Sequence, residues 1–179
     1  MSTATRNVRE VYESGHALLS PDERYRYFLS RHLRESLLDG PTRTMTFIML
    51  NPSTADGDTD DQTIRRCVGY AQRDGCNHLQ VVNLYAYRTV SPDVLREAAE
   101  AGIDVVGPDN LGHVDVAMRT GKVVVAWGSN AATCPPTPVA DLLANWSGPL
   151  WCIGTTKDGS PLHPSRGAYR ELVRWSPCA

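Results

Sequence analysis

The feature that most constrains this fold is a series of apolar runs separated by segments with helical periodicity. Lys122 to Trp127 (KVVVAW) contains no polar residue after its lysine and shows no polar alternation. Such a run predicts a strand buried on both faces, the usual situation in a parallel sheet. Met45 to Leu50 and Leu79 to Leu84 are predicted to be further strands of this sheet. Strands that alternate with helices predict an α/β fold with a mainly parallel sheet.

Periodicity and end signals place the other elements. Ser91 and Pro92 fit the N-cap and first position of a helix. The other predicted helices are 59–73, 108–118, 138–146 and 166–175, and the other predicted strands are 23–33 and 150–154. The segment 23–33 also fits a helix. We predict a single domain over 1–179, with a polar and partly mobile segment over 1–23, because no composition shift marks a boundary.

Composition limits the function classes. The 179 residues can bury a core without metal or disulfide staples. A net charge of −2 disfavours a coat protein for duplex DNA, because phosphate neutralisation supplies most of that affinity. That charge leaves room for a local basic rim or a small-molecule substrate. Five cysteines without a C-x-x-C pair predict reduced thiols, and the lack of a signal peptide or membrane span predicts a soluble, cytoplasmic protein.

A polar turn follows the strand Met45 to Leu50, where α/β folds commonly bind ligands. Asn51 stands at the end of the strand, and Pro52 and Ser53 follow it. A side-chain amide held at this place can position a water molecule or bind a polar ligand edge. The alternative is that Asn51 and Ser53 make only turn and capping bonds.

An acidic run comes next, at Asp56, Asp58, Asp60 and Asp61. Its spacing resembles the start of a calcium loop, but the later positions lack the turn glycine and the bidentate glutamate. Carboxylates here are better suited to capping the following helix near its positive end. Asp60 or Asp61 is also a candidate for chemistry in the pocket, and a loose magnesium site stays open as an alternative.

Two further strand ends carry candidate ligand-binding residues. Asn83 ends one strand, and Tyr85, Tyr87 and Arg88 follow it. An amide that both donates and accepts, beside aromatic rings, suits recognition of a planar heterocycle. A buried asparagine that ties loops together is the alternative. After the strand Lys122 to Trp127, Gly128 allows the backbone to approach a ligand closely.

The last candidate segment is His163, Pro164, Ser165 and Arg166. A histidine between a strand and a helix can donate to an oxyanion or a phosphate, and Ser165 and the amides beside Arg166 add phosphate donors. The sequence contains neither a P-loop nor the signature of a zinc deaminase. Phosphate binding of the P-loop type and zinc-dependent deamination are therefore excluded.

Several motifs, in order, resemble those of the domain-of-unknown-function family 1643 of bacteria and phages. The resemblance extends from Tyr25 to Tyr169. The motifs that carry it are FIMLNPSTAD, DDQTIRRC, VVNLYAYR, GPDN, VAWG and TTKDGSPLHP. Since that family is defined without an activity, the resemblance implies kinship and no particular reaction.

The same segments more distantly resemble the uracil-DNA glycosylase superfamily. Met49 to Ser53 is similar to its first motif, G-x-N-P-G, and His163 to Arg166 is similar to its last motif, H-P-S-P. Asn83 stands where that superfamily has a base-reading asparagine. The resemblance implies a three-layer α/β/α sandwich with a short, mainly parallel sheet. It also implies an N-glycosidic bond hydrolase that acts on a modified or damaged base in DNA or a nucleotide, with no cofactor.

The resemblance also implies roles for individual residues. Asn51, with Asp60 or Asp61 beside it, would orient the attacking water, and His163 would stabilise charge on the leaving base. Asn83 would read the base, while Tyr85 or Tyr87 would stack on it. No leucine wedge follows Arg166, which favours nucleotides or single-stranded DNA over duplex DNA, because unstacking a base is costly. A non-catalytic nucleotide-binding module and a metal-dependent nucleotide hydrolase or transferase that uses the acidic run remain alternatives.

Overall fold

The computed structural model describes residues 12–33, 41–53, 55, 57, 59–165 and 167–177. Strands and helices alternate along most of this length. Their order is β1 (Tyr12–Leu19), β2 (Arg26–Leu33), β3 (Thr44–Met49), α1 (Gln62–Arg73), β4 (His78–Asn83), α2 (Pro92–Glu100), α3 (Asn110–Met118), β5 (Lys122–Val125), α4 (Pro138–Ala144), β6 (Leu150–Cys152) and β7 (Val173–Trp175). A short 3-10 helix, Ser129–Thr133, precedes α4.

The strands form one seven-stranded mixed sheet in the order β1-β2-β4-β3-β5-β6-β7. The central strands β4, β3, β5 and β6 are parallel to one another. Antiparallel strands extend this core on both sides, with β2 and β1 beyond β4 and β7 beyond β6. The α/β class is confirmed, but the prediction of a short sheet is wrong, because antiparallel strands widen the parallel core.

The helices cover both faces of the sheet. Side chains of α1, such as Ile64 and Cys67, share one core cluster with Phe47 of β3. Side chains of α2, α3 and α4 share the other cluster with Ile48, the next residue of the same strand. Successive residues of β3 therefore enter opposite cores, which explains why this strand has no polar alternation.

Local signals placed several helix ends correctly. Ser91 is the N-cap of α2 and accepts a hydrogen bond from the backbone N–H of Asp93, with Pro92 at the first position. Asp61 caps α1 in the same way through the backbone N–H of Ile64. A cap depends on neighbouring residues alone, so the sequence is sufficient to predict the start of α2. The predicted start of α1 at residue 59 is three residues too early, because Asp61 caps the helix and Gln62 is its first residue. None of the described helices is long and apolar enough to cross a membrane.

The prediction of a helix over 166–175 is wrong for the described residues. Val173–Trp175 forms β7, which pairs antiparallel with β6. Arg174 lies over the ring of Trp151, while Trp175 packs edge-on against Trp127 in the other core cluster. Consecutive side chains thus go to opposite faces of the sheet, as a strand requires and a helix does not allow. The sequence pattern also does not predict β1, which lies within the segment expected to be partly mobile.

The connections reverse direction next to β3. The chain leaves β3 through α1 and enters β4 on one side, then crosses through α2 and α3 to β5 on the other side. In open α/β sheets such a reversal leaves a crevice at the carboxyl ends of the two diverging strands. The carboxyl ends of β3 and β5 are therefore the place to search for a ligand site.

Candidate functional site

A cleft of about 570 Å³ lies at the carboxyl ends of β3 and β5. This volume is in the range of small-ligand sites. The residues that line the cleft are Arg26, Met49, Leu50, Asn51, Ser53, Asp61, Gln62, Thr63, Ile64, Thr89, Val90, Pro92, Trp127, Gly128, Ser129, Asn130, Thr156, Leu162, His163 and Ser165. The turn after β3, the turn after β5 and the segment around His163 thus meet over one cavity.

Asn51 is fixed by the turn and keeps one free acceptor. Its side-chain Nδ2 donates to the carbonyl oxygens of Thr89 at 2.9 Å and Pro52 at 3.2 Å. Its Oδ1 accepts no hydrogen bond from the described residues. The amide therefore makes turn hydrogen bonds, which was the alternative role that the sequence left open. Its Oδ1 is also an acceptor of fixed orientation at the cleft.

Asp61 contributes the only carboxylate among the described residues that line the cleft. Its Oδ1 accepts from the backbone N–H of Ile64 at 2.8 Å and caps α1. The carboxylate therefore stands at the positive end of α1. Oδ2 accepts no hydrogen bond from the described residues, so one oxygen of a fixed carboxylate is available for a proton or a water.

His163 is held in one tautomer by its own turn. Nδ1 accepts from the backbone N–H of Ser165 at 3.3 Å, so the proton of the neutral ring is on Nε2. Part of the side chain is exposed at the cleft mouth, but neighbouring atoms displace enough water to lower its pKa below 6.5. The carboxylate of Asp61 opposes this shift. The ring is therefore neutral at pH 7 and offers an N–H donor.

Gly128 brings the end of β5 close to His163. Its φ of +77° is in the left-handed region, and an added Cβ would lie 3.4 Å from the His163 Cβ. Its backbone N–H donates to the carbonyl of Pro161 at 2.8 Å. A glycine at this turn thus keeps the His163 segment against the sheet, as a close backbone approach requires.

The His163 segment is also anchored to α1. The guanidinium of Arg66 donates to the carbonyl oxygens of Pro164 at 3.0 Å and Gly167 at 2.9 Å. The ring of Tyr169 lies 3.8 Å from the guanidinium carbon of Arg66. These contacts fix both ends of the turn that presents His163.

Comparison with known families gives one match. The model of the family described as a protein of unknown function, DUF1643, matches residues 26–165. The chain belongs to the DUF1643 family. All residues that line the cleft lie within this range, since Arg26 and Ser165 are the first and last of them. No curated protein and no solved structure matches the chain, so the resemblance to the uracil-DNA glycosylase superfamily stays a prediction.

Within this DUF1643 chain, the structure places the predicted residues Asn83 and Tyr85 away from the cleft. Asn83 is 0% exposed, and α3 covers it, since Asn110 donates to its backbone carbonyl. Neither polar atom of the Asn83 side chain has a hydrogen-bond partner in the structure. Tyr85 donates its hydroxyl to the carbonyl of Pro135, and its ring faces a separate groove beside α4. Neither residue lines the cleft, because Asn83 is covered by α3 and Tyr85 is turned towards the groove beside α4.

Other predicted site residues also lie elsewhere. Tyr87 packs edge-on against Tyr25, and Arg88 donates to the backbone carbonyl of Glu23. Asp60 is buried in an ion pair with Arg31 and does not reach the cleft. Pro52 is buried and contributes its carbonyl to the turn. Asp56, Asp58 and Arg166 lie outside the described residues.

The structure adds cleft residues that sequence reasoning missed. Arg26 is 2% exposed and donates to the carbonyl of Ala55 at 2.6 Å, yet it lines the cleft. Trp127 presents a half-buried ring beside Ser129 and Asn130. Trp127 could have been predicted as a cleft residue because it directly precedes Gly128. The alternation of side chains along β2 gives no indication that Arg26 lines the cleft. Among the described residues, no group of three or more His, Cys, Asp or Glu side chains is placed to hold a metal ion.

Proposed function

We propose that this cleft hydrolyses an N-glycosidic bond in a substrate that contains a nucleobase. One observation carries the proposal. A carboxylate (Asp61) and an oriented amide oxygen (Asn51) from the connection between β3 and α1 line the same cavity as a neutral imidazole N–H (His163) from a distant segment. Glycoside hydrolysis needs an acceptor for the proton of the attacking water and a donor for the leaving group.

Each group has a distinct part in the reaction. Asp61 accepts one proton from the attacking water, and Asn51 Oδ1 accepts a hydrogen bond from the O–H that the water keeps, which orients it. The water oxygen bonds to the anomeric carbon as the bond to the base nitrogen breaks, through an oxocarbenium-like transition state. His163 donates a hydrogen bond from Nε2 to the leaving base, and this hydrogen bond stabilises the negative charge of the base. One preorganised donor of this kind supplies about 3–4 kcal/mol.

Base recognition falls to residues other than those predicted. Trp127 supplies an aromatic surface in place of Tyr85 and Tyr87, and Asn130 supplies an amide in place of Asn83. The edge-on contact with Trp175, with ring centroids 5.3 Å apart, fixes the orientation of the Trp127 ring. A flat heterocycle that stacks on Trp127 leaves its polar edge within reach of side-chain donors and acceptors.

The proposal is tested by the release of free base. The purified protein is incubated with modified and unmodified nucleosides, nucleotides and single- and double-stranded DNA, with and without EDTA. We expect release from at least one substrate, unaffected by EDTA. Release that EDTA abolishes would replace the proposal with a metal-dependent reaction, and tight binding without release would replace it with a binding module.

A further inference from the structure

A second groove, here called the α1 groove, lies on the face of the sheet that α1 covers. Its volume is about 500 Å³, and its walls include Arg73, Lys122, Trp151, Tyr169 and Arg170. Cationic side chains alternate with aromatic rings along it. This composition differs from that of the chain as a whole, whose net charge is −2.

The rings of the α1 groove hold cations in place. The guanidinium carbon of Arg73 lies 3.8 Å from the ring centroid of Tyr169, and that of Arg174 lies 4.3 Å from the centroid of Trp151. The ammonium nitrogen of Lys122 lies 5.0 Å from the same Trp151 ring. A stacked guanidinium uses its flat face and leaves its N–H edges free for an anion.

These N–H edges have no protein acceptor among the described residues. The side chains of Arg73, Arg170 and Arg174 are exposed, and none donates a hydrogen bond to a described residue. Lys122 is the exception, because it pairs with Asp74 at 2.6 Å. Arg73 and Arg174 are fixed by stacking on rings and Arg170 stands beside them, and planar guanidiniums whose N–H groups are unused in this way suit recognition of phosphate oxygens.

The charge of the groove is strongly positive. The residues that line it or stack on its rings include two carboxylates, Asp74 and Glu171. Against these stand the cationic side chains Arg66, Arg73, Lys122, Arg170 and Arg174. The local excess of positive charge attracts a polyanion even though the whole chain is slightly acidic.

The α1 groove and the cleft lie at opposite ends of α1, and Arg66 contacts segments that belong to both. Arg66 stacks on Tyr169 and also donates to the carbonyl of Pro164, between the cleft residues His163 and Ser165. The helix α1 begins at the cleft with Gln62 and ends in the groove with Arg73. Its 12 residues span about 18 Å at the usual rise of an α-helix. Only an extended ligand can occupy both places at once.

We propose that the α1 groove binds the phosphates of a single-stranded polynucleotide whose target nucleotide occupies the cleft. A positive groove with fixed cations tracks the backbone of a single strand without reading its sequence. The inference deepens the proposed function and rests on it for the occupant of the cleft, while strand binding is measured without turnover.

The test compares strand binding by variants that lack arginines of the α1 groove or arginines of the opposite layer. A labelled single-stranded DNA of mixed sequence and the corresponding duplex are titrated by fluorescence anisotropy at several salt concentrations. The groove variant combines Arg73→Gln, Arg170→Gln and Arg174→Gln. The control variant combines Arg96→Gln and Arg119→Gln in the opposite layer, where Arg96 is half-buried on α2 and Arg119 is exposed at the C-cap of α3, each paired with an aspartate. Thermal unfolding checks that both variants are folded.

We expect the wild type to bind the single strand more tightly than the duplex. The groove variant should bind the strand at least about 10-fold more weakly at low salt, and its slope of log K against log salt should be shallower by about 2, since each phosphate contact contributes about 0.7. The control variant should change the affinity less than twofold. Unchanged binding by the groove variant, or an equal loss in the control variant, would overturn the inference.

Other outcomes separate this inference from the proposed function. Base release from a nucleoside without any strand binding would overturn the groove assignment and leave the glycosylase proposal standing. Strand binding that depends on the groove, without base release from any substrate, would support the groove assignment and overturn the glycosylase proposal. Groove-dependent binding of anionic lipid vesicles that exceeds binding of the strand would assign the groove to a membrane surface and overturn the inference.

Discussion

The ring of Tyr169 crosses α1 directly above Gly69. A Cβ added at position 69 would lie 2.0 Å from the hydroxyl oxygen of Tyr169. Arg66 and Arg73, one on each side of Gly69 along the helix, both lie 3.8 Å from the centroid of this ring. Two guanidiniums cannot share one face at that distance, so the ring is held between them. This contact connects the helix that Asp61 caps to the segment that carries His163.

Replacement of Gly69 by alanine should destabilise the protein by about 1–3 kcal/mol, because the new methyl group overpacks the contact with Tyr169. Alanine normally favours a helix, and Gly112→Ala in α3, where an added Cβ meets nothing within 4 Å, provides the matched control. That control should gain about 0.5–1 kcal/mol. Urea unfolding measures both changes. Stabilisation by Gly69→Ala, as in the control, would contradict the packing described.

The variant Asp61→Asn should keep the helix-capping role of Asp61 and remove its role in the reaction. Asparagine caps a helix about as well as aspartate, so the free energy of unfolding should change by less than about 0.5 kcal/mol. Base release should fall by at least about 100-fold, since the general base is lost. Asp61→Ala should add a stability loss of about 1 kcal/mol. Thr137→Ala, which removes the N-cap of α4 away from the cleft, should lose stability and retain base release. Full turnover by Asp61→Asn would remove Asp61 from the mechanism.

The titration of His163 should report its contact with the cleft. Burial lowers its pKa below 6.5, and Asp61 opposes the shift, so Asp61→Asn should lower the pKa further. NMR titration of the ring protons measures both values. An unchanged pKa in Asp61→Asn would show that the two groups do not interact.

The same shift predicts a pH dependence of stability. The unfolded chain takes up the His163 proton at higher pH than the folded protein, so stability falls as the pH drops from 6.5 towards the lowered pKa. His78, whose pKa is lowered first by burial and then by His32, contributes in the same direction. His163→Asn should therefore lose less stability over this window than the wild type, as urea unfolding at several pH values would reveal. Equal pH dependence in the two proteins would contradict this account.

Breaking the buried ion pair between Arg31 and Asp60 should lower the free energy of unfolding more than breaking an exposed ion pair. Arg31 donates to Asp60 Oδ1 from Nε at 2.9 Å and from Nη2 at 2.7 Å, and both side chains are inaccessible to solvent. Arg31→Met leaves the carboxylate buried without its partner and should cost about 3–5 kcal/mol. Arg119→Met, which breaks the exposed pair with Asp115, should cost less than about 1 kcal/mol. Similar losses in the two variants, measured by thermal unfolding, would contradict the burial of the first pair.

The elements that could be predicted from the sequence are those whose signals are local. The apolar runs of β3 and β5 identify strands because both of their faces are buried whatever their neighbours are. Ser91 with Pro92 marks the start of α2 because the cap bonds to a residue two positions away. By contrast, β7 was mistaken for a helix because its pairing with β6 is its main determinant, and no local pattern encodes that partner.

The candidate site likewise has features that the sequence predicts and features that only tertiary contacts determine. The sequence alone determined that Asn51 and Gly128 stand at turns after strands, since turn chemistry depends on adjacent residues. The expectation that His163 stands between a strand and a helix is wrong, because β6 ends at Cys152 and no helix follows His163 among the described residues. The tertiary structure decided which turns meet. Strand order brings the ends of β3 and β5 together, while register and the cover of α3 turn Asn83 into the interior. Strand order and register arise from contacts between distant residues, and such contacts are absent from any local pattern in the chain.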